Sequence, residues 1–271
     1  MLLNAVRYIP FSPNTPYENM AIDEYLISYA RTAGKPVLRL YGWSPPGISI
    51  GRFQDAAKDI NLKECEKGKV PVVRRITGGG AIFHADELTY CLVFPENFLG
   101  VKAGVKESFE KLNYFLIKMY SKFGLEAGFS KHVNRGVTPA TRAAFCFTAN
   151  EEYDIIIKDK KIGGNAQARK KGIIFQHGSI PLRETPTGVE KYFTSAFDRS
   201  VFTDLSTLLG RQVMREEAEA DFIAAFTEVS GVDLSPVPLE MEEKKSIVNL
   251  LVTKYINYKW NNEGKGFEDN L

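Results

Sequence analysis

Apolar residues along the chain alternate between two periods. After Asn14-Thr15-Pro16-Tyr17, which reads as a helix start, Met20, Leu26 and Tyr29 are spaced among Glu18, Asp23 and Glu24. That is an amphipathic helix ending near Gly34. Val37 to Tyr41 alternates as a strand, Ser44-Pro45-Pro46-Gly47 is a turn, and Ile48 to Gly51 is a second strand. Residues 61–67 form a short helix. Val70, Val72 and Val73 lead into Arg74-Arg75-Ile76-Thr77-Gly78-Gly79-Gly80, and Ala81, Ile82 and Phe83 resume the apolar run, a pattern expected of a hairpin. Leu88 to Phe94 is a further strand.

The strongest helical pattern spans 104–124. Val105, Phe109, Leu112, Phe115, Leu116 and Met119 recur at helical spacing, and Gly124 is placed to stop the helix. Residues 130–143, with Gly136 and Pro139, read as a loop. Tyr153 to Ile157 is a strand, Lys158-Asp159-Lys160 a tight turn, and Lys161-Ile162 extended again. Residues 172–182 form another strand, and helices are expected over 200–209, 215–229 and 241–255. Strands in the middle and helices at the start, centre and end predict an α+β or mixed α/β fold, with a largely antiparallel sheet flanked by helices. There is no internal repeat, low-complexity tract or linker.

Composition narrows the function classes. The 271 residues are 44% hydrophobic and 25% charged, as in ordinary soluble proteins. With 35 basic and 33 acidic residues, the net charge of +2 argues against a nucleic-acid binder driven by phosphate neutralisation. Lys158, Lys160, Lys161, Arg169, Lys170 and Lys171 form a local basic run, which most simply is a solvated face. No apolar run approaches the length of a membrane span, and the N-terminus lacks a signal-length apolar region, so the expected location is cytoplasmic and no membrane partner is expected. Three widely spaced cysteines, Cys65, Cys91 and Cys146, suit reduced thiols rather than disulfides or zinc. No metal-ligand spacing is present, and a monomer is the default.

Four segments could carry chemistry. Three successive glycines are costly to order unless backbone must approach something closely, and two adjacent guanidiniums suggest an anion or polarised carbonyl. Alone, this is most simply a flexible hairpin loop with charged flanks. It is neither a Walker loop nor a dinucleotide fingerprint. Cys146 lies between two phenylalanines, as a buried small hydrophobe would, or as a nucleophile if nearby cations such as Lys161 or Arg75 lower its thiol pKa. Cys91 reads as core and Cys65 as a peripheral helix residue. Lys161, before Gly163-Gly164, is either a surface hairpin lysine or an ammonium aimed at a carbonyl or phosphate. His84 and His177 each suit a structural histidine or a proton relay.

Taken together, Arg74-Arg75-x-Thr77-Gly78-Gly79-Gly80-Ala81-x-x-His84, Lys161-Ile162-x-Gly164-Asn165-Ala166-Gln167 and Gln176-His177-Gly178-Ser179-Ile180 resemble the cofactor-transferase family of lipoate–protein ligases, octanoyltransferases and biotin–protein ligases. Asn19 to Glu24, Arg39 to Trp43, Ser49 to Gln54 and Thr253 to Tyr255 with Trp260-Asn261 extend the resemblance along nearly the whole chain. It implies the ligase-like catalytic fold over 1–271, with no separate accessory C-terminal domain. Cys146-Phe147, Tyr153-Asp154 and Asp86 to Tyr90 resemble the cysteine-dependent octanoyltransferases. The unbroken Gly-Gly-Gly-Ala is closer to the ligases.

The octanoyltransferase branch implies octanoyl transfer from acyl carrier protein, through a Cys146 thioester, to a lysine of a lipoyl domain or the glycine-cleavage H protein, without a cofactor. It implies Cys146 and Lys161 as catalytic residues, and Arg75, Thr77, Gly78, Gly79, Gly80, His84, Gly164, Asn165, Ala166, His177 and Gly178 around the substrate. The ligase branch implies a lipoyl-adenylate made with ATP and Mg2+, with Cys146 a bystander. A non-catalytic acyl- or lipoyl-binding module on the same scaffold is the reading from another class.

Overall fold

The structure, a computed structural model, describes residues 6–96, 105–130, 152–195 and 198–265. Strands β1 (Arg7–Asn14), β2 (Val37–Trp43), β6 (Glu87–Pro95), β11 (Ile173–Pro181) and β10 (Gly164–Lys170) form a five-stranded sheet in the order β1-β2-β6-β11-β10. β1 and β2 run parallel, and the other neighbours antiparallel. Side chains alternate across the central strands. Leu38, Leu40, Leu88, Tyr90, Leu92, Phe94 and Ile174 face helices α4 (Val105–Lys122) and α6 (Arg215–Ser230). Val37, Tyr41, Cys91, Val93 and Phe175 face α1 (Pro16–Ala33) and α7 (Met241–Leu250). Helices on both faces bury these strands, and each fully buried large apolar side chain contributes about 1.5–3 kcal/mol.

A second sheet has the order β4 (Val72–Arg74), β3 (Gly47–Ile50), β5 (Ile82–His84). This corrects the expected hairpin. β4 pairs with β3 in parallel and β5 pairs with β3 antiparallel, so β3 separates the two apolar runs. The glycine-rich segment therefore crosses the end of β3 instead of turning between neighbours. A third sheet joins β12 (Phe202–Thr203), β9 (Lys160–Ile162), β8 (Ile155–Ile157) and β7 (Gly128–Phe129).

α1 begins as expected, with Thr15 and Glu18 forming a reciprocal capping box, and ends at left-handed Gly34. α3 (Leu62–Lys67), α4 and α6 also match the periodicity, whereas the short α2 (Ala56–Asp59) was not anticipated. β1 carries little strand signal in the sequence, since Pro10 and Pro13 fall within it. It is tolerated as an edge strand, with an irregular register between Ile9 and Ser12. The helix expected over 200–209 shortens to α5 (Leu205–Leu209). Asp204 caps it by accepting from the Thr207 amide at 2.9 Å, while Phe202 and Thr203 pair with β9. The helix expected over 241–255 is α7 followed by a wider turn at Leu251–Tyr255. Cys65 is buried under the second sheet, not peripheral. Among the described residues no helix is long and apolar enough to cross a membrane.

Candidate active site

The glycine-rich loop is clamped from below and within. A Cβ on Gly51 would lie 2.0 Å from the Gly79 carbonyl oxygen, so only glycine at 51 lets the loop cross β3. The Arg52 amide donates to the Thr77 carbonyl at 2.7 Å, and the Arg75 amide to the Ile50 carbonyl at 3.0 Å. Gly79 has φ +89°, a left-handed conformation that favours glycine. Among the described residues, a Cβ at Gly78 would meet no atom within 4 Å beyond its chain neighbours.

The two arginines that suggested an anion bond the protein's own carbonyls. The Arg74 guanidinium donates to the carbonyls of Gly51, Arg52, Gln54, Trp260, Asn261 and Asn262 at 2.7–3.2 Å. Burial, reinforced by Arg52, pushes it below the ordinary arginine pKa. Arg75 donates to Gly78 O at 2.8 Å and Gly80 O at 2.7 Å, and to the Ser49 carbonyl and hydroxyl at 3.1 Å. It shapes the loop from inside.

His84 closes this segment with both ring nitrogens engaged, Nε2 at 2.8 Å from Ser49 Oγ and Nδ1 at 2.9 Å from Glu87 Oε1. Its ring stacks on Trp43 at 3.7 Å between centroids. Burial acts to raise the Glu87 carboxyl, but the charge and hydrogen bond of His84, with Thr89, bring it below its ordinary value. The other histidine ties loop to sheet: His177 Nε2 lies 2.8 Å from Thr77 Oγ1. His177 is kept neutral chiefly by burial, which lowers its pKa against the opposing pull of Asp23 on α1. Arg75 and His84 lie close enough to act on its charge as well.

β10 and β11 carry the remaining predicted residues in register. Gly164 pairs with Ser179, Asn165 with Gly178, and Ala166 with His177. Asn165 Oδ1 accepts from the Tyr90 hydroxyl at 2.7 Å. A Cβ on Gly178 would strike that Oδ1 at 2.1 Å and the Tyr90 ring at 2.5 Å. Gly163, at φ +73°, would bring a Cβ to 2.0 Å from the Ser179 carbonyl oxygen. The close approach at this glycine is thus to the neighbouring strand.

Lys161 departs from the solvated basic run. Its side chain is 2% exposed, and Nζ lies 2.7 Å from Asp154 Oδ2. Lys158 and Asp159, both at positive φ, turn the chain tightly, and alternation along β9 leaves Lys160 exposed and Lys161 inside. A buried ammonium needs such a partner, because desolvation costs several kcal/mol per ion. Cys146, Asn134 and Arg142 lie outside the described residues. Of the other cysteines, Cys65 has its thiol pushed up to about 11 by burial, and Cys91 is raised well above its ordinary value for the same reason. Neither suits a thiolate nucleophile. Among the described residues no group of three His, Cys, Asp or Glu could hold a metal ion.

Sequence reasoning assigned no role to Ser49, Gly51, Asp154 or Tyr90, nor to Asp23 beyond the helix pattern. Opposite charges flanking a two-residue turn could have flagged Asp154 with Lys161. The others lie in segments that carry the resemblance, but their partners are far apart in the chain, so no local pattern gives their roles.

Comparisons with known proteins place the chain in one family. Residues 15–227 match the family described as Lipoyl protein ligase A/B catalytic domain. Octanoyltransferase LipM from an Exiguobacterium species is 36% identical over 261 residues, covering 91% of this chain and 94% of that protein. Octanoyltransferase LipM from Bacillus subtilis is 31% identical, covering 94% and 97%. Among solved structures, lipoate-protein ligase A bound with ATP superposes with a TM-score of 0.80 at 23% identity, covering 98% of this chain and all of that one. A bipartite lipoate protein ligase from Thermoplasma acidophilum gives 0.78 at 21%, covering 99% and 100%. At these identities the structural likeness speaks to fold alone.

Proposed function

This chain belongs to the lipoyl protein ligase A/B catalytic-domain family, and from that premise we propose that it is an octanoyltransferase acting in lipoate synthesis. The observation that carries the reading is the 31–36% identity to proteins named Octanoyltransferase LipM across more than nine-tenths of both chains.

In this reading the Cys146 thiolate attacks the octanoyl thioester of acyl carrier protein. The carrier thiol leaves and octanoyl-Cys146 forms. A lysine ε-amine of a lipoyl domain or of the glycine-cleavage H protein then attacks, giving an amide and freeing Cys146. Cysteine suits both halves, being a strong nucleophile and a good leaving group. Lys161, held by Asp154, faces the negative charge that develops on the carbonyl oxygen, and removing such a donor typically costs about 10²–10³ in rate.

The space that the described residues leave at Gly78 supports an acyl group lying against the loop, with Gly79, Gly80 and Thr77 beside it. Arg75 and His84 hold that loop, while Gly164, Asn165, Ala166, His177 and Gly178 form the opposing strand pair. Neither half-reaction requires ATP or a metal.

Incubation with octanoyl-acyl carrier protein and no ATP, read by intact mass, is expected to give an octanoyl adduct removed by hydroxylamine and absent in Cys146→Ala. ATP–pyrophosphate exchange stimulated by free lipoate, with no adduct, would overturn the transferase reading in favour of a ligase. Octanoyl binding without transfer would favour a non-catalytic module.

A further inference from the structure

On the α1 side of the main sheet, three neighbouring strands place Arg39, Cys91 and His177 in one transverse row. Asp23 of α1, 1% exposed, lies over that row. Its Oδ1 accepts from Arg39 at 2.7 Å, and its Oδ2 accepts from the Tyr41 hydroxyl at 2.9 Å and faces His177 Nδ1 at 3.5 Å. An ionised carboxylate only accepts hydrogen bonds, so the nitrogen facing it carries the proton. Neutral His177 then has a bare Nε2, which accepts from Thr77 Oγ1 at 2.8 Å. The opposite tautomer would set the Nδ1 lone pair against the carboxylate.

We propose that Asp23 is a positioning residue. It fixes His177 as the Nδ1–H tautomer, so that Nε2 receives the Thr77 hydroxyl and anchors the glycine-rich loop to the sheet. For a neutral ring the tautomer follows from this geometry; its consequence for catalysis rests on the acyl-transfer reading. Thr77 is the residue before Gly78, and its carbonyl is already held by the Arg52 amide, so the relay immobilises its side chain too. Among the described residues, the charged and titratable groups facing His177 are Asp23 from α1, Arg39 and Tyr41 from β2, Cys91 from β6, and Arg75 and His84 on the loop side. Arg39 already balances the one carboxylate, so a proton on His177 would add a second cation to the row. It would also turn Nε2 into a donor and reverse the Thr77 bond, leaving the hydroxyl to accept.

The chain has three histidines, which makes 15N-histidine correlation spectra directly readable. In the wild-type protein at neutral pH, His177, assigned by loss of its signals in His177→Gln, is expected to show a protonated Nδ1 and a bare Nε2. An Nε2–H tautomer or an imidazolium would overturn the proposal. This readout does not depend on any variant folding, nor on activity. In Asp23→Asn the tautomers should mix, and octanoyl transfer should fall on the order of tenfold to a hundredfold. Asp23→Glu should recover part of that loss. Thr77→Val should cause a similar fall, with no further loss in the double variant. Folded Asp23→Asn protein with wild-type transfer and an unmixed tautomer would sink the role of Asp23. Failure of wild-type protein to form any octanoyl adduct would instead count against the transferase reading and leave the tautomer result standing.

Discussion

Lys161 Nζ and Asp154 Oδ2 lie 2.7 Å apart at the base of the β8–β9 hairpin, both side chains less than a tenth exposed. Removing one member of such a pair leaves the other ion buried with too few partners, typically at a cost of about 3–5 kcal/mol. Asp154→Asn is therefore expected to lower unfolding free energy by an amount of that order. Lys161→Met leaves the Asp154 carboxylate buried in the same way and should lose stability too, and it should also lose octanoyl transfer by about a hundredfold or more. Urea unfolding and single-turnover transfer, measured on the same preparations, check both outcomes. Equal stability losses with activity retained in Lys161→Met would make the pair merely structural.

Gly51 and Gly78 make contrasting tests of the loop. An Ala at Gly51 must displace the Gly79 backbone, since its Cβ would sit 2.0 Å from that carbonyl oxygen. Overpacking of this kind costs about 1–3 kcal/mol, and the shifted loop should abolish most transfer. Among the described residues an Ala Cβ at Gly78 meets no atom within 4 Å beyond its chain neighbours, so the fold should be unchanged. If the acyl group lies there, Gly78→Ala raises KM for the octanoyl carrier while Tm stays within a degree or two. Unaltered kinetics in Gly78→Ala would move the acyl group elsewhere.

The difference between these two glycines shows what was legible in the sequence. The glycine run marked a close approach, and the helices α1, α4 and α6 announced themselves by apolar spacing and caps. The chain pattern could not show that β3 lies between β4 and β5, because pairing of strands distant in sequence leaves no local trace. For the same reason Arg74 and Arg75 looked like anion ligands: a guanidinium bound to carbonyls looks identical in sequence to one bound to phosphate. Lys161 is the reverse case, a lysine in a basic run whose burial comes only from the facing of β9.

Acid should loosen the site in two stages. His177 has a folded-state pKa below the ordinary 6.5, chiefly through burial, so between those values the unfolded chain binds a proton that the folded protein does not. Stability is full above 6.5 and falls as pH drops from there through the folded-state value. Glu87 is also depressed, from 4.5, so its contribution is full above 4.5 and is lost as pH falls towards its own folded-state value. His177→Gln should flatten the first slope in urea unfolding between pH 7.5 and 5, leaving the second. Glu87→Gln should do the converse. A slope between pH 7.5 and 5 that survives in His177→Gln would assign the transition to another group.

Arg74 joins two segments that nothing in the chain order brings together. One set of its bonds reaches the turn after β3, at Gly51, Arg52 and Gln54, and the other reaches Trp260, Asn261 and Asn262 near the end of the described chain. The Trp260 indole donates back to the Arg74 carbonyl at 3.0 Å, and Asn261 Oδ1 accepts from the Arg74 amide at 3.0 Å. A lysine keeps the charge but offers three donors on one atom, which cannot span both sets. Arg74→Lys should therefore lose roughly 2–4 kcal/mol, since several buried carbonyls go without a donor at about 1 kcal/mol or more each. The loss should be local before it is global. Hydrogen exchange should accelerate in 51–54 and 259–263 while the β6–β11 ladder stays protected, and Trp260 emission should shift red in a Trp43→Phe background, where it is the remaining tryptophan. Because the turn after β3 also supports Thr77 through the Arg52 amide, transfer should fall together with protection at 51–54. Full activity alongside rapid exchange there would separate the C-terminal clamp from the catalytic loop.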